Sequence, residues 1–91
     1  MNSFIITYDI AKIGDYNGVY NALIDRIKTY EIWAHINDSC WAVKAEATAV
    51  NVRDFLLAVM RQGDRLCVVQ SAHIAAWHNL LCTNDWLQEN I

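Results

Sequence analysis

A chain of 91 residues with a formal net charge of −3 has room for one small domain and lacks the strongly basic balance of a non-specific nucleic-acid binder. Apolar residues make up 55% and charged residues only 19%, which excludes intrinsic disorder. That much apolar side chain in so small a domain points to burial against another subunit. The three cysteines Cys40, Cys67 and Cys82 are widely spaced and form no CxxC, so buried free thiols in a reducing compartment are expected.

Ser3 to Ile10 (SFIITYDI) is rich in β-branched and aromatic residues and reads as a strand ending at the carboxylate of Asp9. Phe4, Ile6 and Tyr8 point to one side and Ile5, Thr7 and Asp9 to the other. A strand apolar on nearly both sides belongs at the centre of a sheet. After a short loop, Asp15 is placed to cap a helix over about Tyr16 to Thr29, in which Tyr16, Val19, Tyr20, Leu23, Ile24 and Ile27 recur at three- and four-residue steps. Gly18, in its first turns, weakens that helix.

Tyr30–Ile36 and Ser39–Glu46 are expected to form a hairpin around Asn37-Asp38, a pair that tolerates left-handed backbone angles. Pairing Ile36 with Ser39 puts Glu31 opposite Lys44, a favourable charge match, and His35 opposite Cys40. Ile32, Ala34, Ile36, Trp41, Val43 and Ala45 then form the core side, with Trp33 and His35 on the other. Thr48 caps a second helix whose buried stripe is Val52, Phe55, Leu56, Val59 and Met60 and which Gly63 ends. Arg65–Ser71 is the fourth strand. Residues 72–91 form a C-terminal extension with a short helix around Asn84 to Glu89, capped by Thr83.

The order βαββαβ within a single domain, 1–91, predicts an α+β, ferredoxin-like sandwich: a four-stranded antiparallel sheet with both helices on one face. The other face, carrying Ile5, Thr7, Asp9, Trp33, His35 and Ala42, is expected to be bare. A second copy laid sheet to sheet would cover it and make a homodimer.

Several short runs resemble the SinR-like family of small bacterial proteins. They are ITYDI at Ile6–Ile10, DY at Asp15-Tyr16, the W-x-H-x-x-x-S-x-W run from Trp33 to Trp41, VRD at Val52–Asp54, DRL at Asp64–Leu66 and AAW at Ala75–Trp77. That family is related in fold to the small CRISPR-associated spacer-acquisition subunit and to VapD-type ribonucleases. The resemblance implies a ferredoxin-like homodimer, and Asp9 stands where the nuclease relatives carry a strand-end aspartate. The departure is the charge, since relatives that hold duplex nucleic acid are more basic.

Asp9 is therefore the leading candidate site residue. Two Asp9 carboxylates brought together by a two-fold could hold one hard divalent ion such as Mg²⁺, with His35 and Ser39 as helpers. The alternative is a carboxylate that accepts bonds from its own loop. His35, His73 and His78 lack metal-ligand spacing, and Cys40 opposite His35 lacks a third, orienting group. Trp33, Trp41, Trp77 and Trp86 suit a core or interface better than base stacking, because no basic groove accompanies them. No Gly-rich phosphate loop, catalytic serine motif or HExxH occurs. No membrane span or targeting run is visible, so a cytoplasmic location is expected. Two functions follow: a metal-dependent nuclease acting on RNA or DNA, or a catalytically inert dimeric module that assembles with itself or a protein partner. The strand-end Asp9 and the resemblance favour the first, and the acidic balance favours the second.

Overall fold

The computed structural model describes residues 1–91 and is built outward from β1 (Asn2–Asp9). Phe4, Ile6 and Tyr8 alternate into one apolar core, while Ser3 and Ile5 face the opposite side. Then follow α1 (Tyr16–Ile27), β2 (Ile32–Asn37), β3 (Cys40–Ala45), α2 (Ala49–Leu57), β4 (Arg65–Gln70) and α3 (Asn84–Asn90). The strands form one antiparallel sheet in the order β2-β3-β1-β4, so β1 and β3 are central. This is an α+β fold with the ferredoxin-like arrangement expected of the element order. No helix is long and apolar enough to cross a membrane.

Leu23 and Ile27 of α1 and Val52 and Leu56 of α2 close the main core over Phe4, Ile6, Trp41 and Val43. Both helix starts are capped as their sequences predict. Asp15 accepts a bond from the Gly18 amide, and Thr48 and Asn51 exchange the reciprocal bonds of a capping box. Helix α2 ends at Leu57 rather than at Gly63. Its last amides tighten to the residue three back, Val59 to Leu56 and Met60 to Leu57, before the chain turns.

The hairpin differs from expectation by one residue. The turn is Asp38-Ser39, with Ser39 at φ 56°, and the ladder pairs Ala34 with Ala42 and His35 with Trp41 after an irregularity between His35 and Asn37. A one-residue slip exchanges the two faces of a strand. Trp33 and His35 therefore lie on the helix side, where their rings sit 5.6 and 4.3 Å from Trp41, and Lys28 lies over Trp33. His35 faces Trp41 and not Cys40, so the His35–Cys40 pair does not form. Ala34 and Ile36 turn to the far side.

That far side is not bare. Segment 72–91 folds back across it, and Leu87 of α3 packs with Ala34, Ile36 and Ala42 into a second core, flanked by Trp77 and Trp86. Ser3 Oγ donates to the Asn90 carbonyl, Leu81 N donates to Ile36 O at 3.0 Å, and Trp77 Nε1 donates to Asn84 Oδ1 at 3.1 Å. The extension thus supplies the cover that a sheet-to-sheet copy was expected to give. A dimer made that way would have to displace it.

Candidate functional site

Asp9 ends β1 on the far side of the sheet, opposite Arg65, and is exposed. Its carboxylate lies 3.5 Å from the Arg65 guanidinium, an open surface pair at the mouth of a shallow cleft of about 370 Å³ that includes Thr7, Leu66 and Cys67. The loop that follows Asp9 is held firmly. Asp64, whose side chain is fully enclosed, accepts the Ala11 amide at 2.8 Å and the Arg61 amide at 2.7 Å, while the Arg61 guanidinium donates to the carbonyls of Ala11 and Ile13. Burial works to raise the Asp64 pKa, but the two backbone amides and the guanidinium outweigh it and hold the carboxyl below its ordinary value. Asp64 appeared in the sequence only as part of the DRL run. Its partners are backbone groups of a distant loop, which no residue pattern announces.

Ser39 lies in the β2–β3 turn, and its carbonyl accepts the Tyr8 amide at 3.1 Å. Its left-handed backbone makes it a turn former. His35 lies on β2, separated from β1 by β3 and on the opposite face of the sheet from Asp9. Its Nε2 is enclosed without a hydrogen-bond partner. The structure thus puts Asp9 and Ser39 near one end of the sheet but does not gather Asp9, His35 and Ser39 into one cluster.

Mg²⁺ asks for several hard oxygen donors in near-octahedral geometry. No group of three or more His, Cys, Asp or Glu side chains lies close enough to hold a metal, and the charged neighbour of Asp9 is a cation. Within one chain these residues do not fit the ion.

Buried thiols were expected, but only Cys40 and Cys82 are partly covered, and burial raises both their pKa values. Cys67 is exposed on β4, on the same face as Thr7 and Val69. Beside it runs the feature the sequence did not show, an apolar groove of about 440 Å³ between β4 and the returning extension. Ile5, Val69, Ile74, Trp77, Leu80 and Ile91 line it, and Val69 and Ile74 are 54% and 91% exposed. No protein family, curated protein or solved structure matches this chain.

Proposed function

We propose that this protein is an assembly module: a small, non-catalytic domain that works by associating through its β4 side. The observation that carries this reading is the concentration of exposed apolar surface there, Val69 and Ile74 beside a groove lined almost wholly by apolar side chains. Such a patch on a small acidic domain is the mark of a protein–protein contact rather than of a nucleic-acid track. Sedimentation equilibrium at micromolar concentration tests the proposal. A mass above that of one chain, lost on Ile74→Asp/Val69→Asp, supports it, and a monomer that retains no protein partner sinks it.

The position of Asp9 favours a second reading, a nucleic-acid-related role as a metal-dependent nuclease on RNA or DNA. Asp9 is exposed at the end of a central strand, the position that corresponds, on the resemblance drawn from the sequence, to the strand-end aspartate of the nucleases related in fold to the SinR-like family. Because one subunit does not supply a donor set for Mg²⁺, this reading needs the Asp9 of another subunit alongside.

A further inference from the structure

Strand β4 is an edge, and its free backbone groups can be identified. Ser71 N donates to Ser3 O at 2.8 Å, whereas Tyr8 N donates to Ser39 O at 3.1 Å. Backbone groups alternate sides along an antiparallel strand. Odd-numbered residues of β1 therefore bond β4, and even-numbered ones bond β3. Through the register Asp9–Arg65, Thr7–Cys67 and Ile5–Val69, those three β4 residues spend their backbone groups on β1. The N–H and C=O groups of Leu66, Val68 and Gln70 point outward, and no hydrogen bond from another part of the chain reaches them.

An edge left open in this way is ordinarily blunted by charge, proline or a bulge. Strand β4 has no proline, its pairing with β1 shows no register shift, and its one charge, Arg65, stands at its end. The opposite edge of the sheet is treated differently, since the Ile36 carbonyl on β2 is taken by Leu81.

We infer that β4 pairs antiparallel with β4 of a second copy of this chain, about a two-fold axis at Val68, and so joins the two sheets into one. This identifies the partner of the assembly module proposed above and rests on that reading. The register follows from using every free group. With Val68 opposite itself, Leu66 lies opposite Gln70 of the second copy, and each pair exchanges two backbone bonds. Shifting the axis to Cys67 or to Val69 leaves Gln70 or Leu66 without such a partner on the strand. The two Arg65 side chains fall at opposite ends of the joined strands, so no like charges meet. On the far face Cys67 lies opposite Val69 of the second copy, in a pair with Cα atoms about 4.5 Å apart. Both exposed valines are thereby covered, and each apolar groove reaches the interface.

This arrangement also sets the two Asp9 residues apart. Each is one strand inward and three residues along from the axis, so they stand roughly 25 Å from each other. An edge-paired dimer is thus a scaffold and does not form a shared ion site at Asp9.

The test is a cross-link built on the native thiol of Cys67. Val69→Cys, oxidised with diamide in the full chain, is expected to give a covalent dimer whose bond joins Cys67 of one copy to the thiol introduced at position 69 of the other. Directly opposed Cα atoms fall within disulfide reach, and a bond between positions 67 and 69 of the same copy would leave the mass monomeric, so only the bond between copies gives a covalent dimer. Cys67→Ser combined with Val69→Cys should give no covalent dimer. Gln70→Pro removes an outward N–H without touching the bonds to β1, and should weaken dimerisation roughly tenfold by losing two symmetry-related bonds. A dimeric mass without the 67–69 cross-link overturns β4 pairing while leaving the assembly module standing. A monomeric mass without a partner overturns both.

Discussion

The Asp64 carboxylate and the Arg61 guanidinium, 3.3 Å apart, clamp the loop after Asp9 to the turn before β4. The guanidinium reaches past its partner to the Ala11 and Ile13 carbonyls, and the carboxylate takes the Ala11 amide from the same loop. Two chain crossings at one end of the sheet are thus tied by a pair in which only the arginine sees solvent.

Asp64→Ala is expected to destabilise the fold by about 2–3 kcal/mol, because two backbone amides and a guanidinium lose their charged acceptor. A urea titration checks this. Asp64 has a lowered pKa when folded, so its stabilisation is present above the unfolded carboxyl pKa, near pH 4, and is lost as the pH falls through the lower folded value. Wild type should therefore lose stability in acid more steeply than Asp64→Asn, which has no carboxyl to titrate at this position.

Gly18 shows how a local rule can point the wrong way. Glycine inside a helix ordinarily costs about 1 kcal/mol relative to alanine, so Gly18→Ala would be expected to stabilise. A Cβ at position 18 collides with the Asp15 carboxylate that caps α1. Relieving the clash displaces the cap, which costs about 0.5–2 kcal/mol. Gly18→Ala should therefore give no net gain in the wild type and a gain of about 1 kcal/mol in an Asp15→Ala background. Thermal melts of the four proteins measure the coupling, and equal gains in both backgrounds would contradict it.

Leu56 is fully buried between the helices and the sheet, and Leu56→Ala should cost about 2–5 kcal/mol. Arg26 of α1 ties the two helices together: its guanidinium lies 4.5 Å from the Phe55 ring centre and donates to the Phe55 carbonyl at 2.9 Å. Arg26→Ala should then cost about 1 kcal/mol by releasing α1 from α2, and Phe55→Ala should reduce that cost in a double-mutant cycle. Denaturation midpoints of the three variants decide.

The element order, the three N-caps Asp15, Thr48 and Thr83 and the central place of β1 were readable because helical and strand periods are strong over Tyr16–Ile27 and Ser3–Asp9. The hairpin register was not, since Ile32, Ala34 and Ile36 alternate with Trp33 and His35, leaving both faces able to pack. The deciding contacts are tertiary: His35 stacked flat on Trp41, and Leu87 covering Ala34. Segment 72–83 has no period of its own and takes its course from the face it covers. Asp9 was readable as a strand end, but its pairing with Arg65 required the β1–β4 register.

That pairing makes Asp9 the residue on which the two functional readings part. An exposed pair at 3.5 Å contributes about 0–1 kcal/mol, so Asp9→Asn should change the metal-free stability by no more than that. If the protein is an assembly module joined through β4, the melting temperature of the wild type should be indifferent to millimolar Mg²⁺ or Mn²⁺. The Asp9 carboxylates would then stand far apart, each beside an arginine, and Asp9→Asn should leave the dimer mass unchanged. If instead two Asp9 residues share an ion, metal binds only the folded assembly and must raise its melting temperature by mass action. The rise would vanish in Asp9→Asn together with any cleavage of RNA or DNA. Melts of both proteins with and without metal separate these outcomes, and a metal-dependent shift that needs Asp9 would replace the assembly module by the nuclease reading.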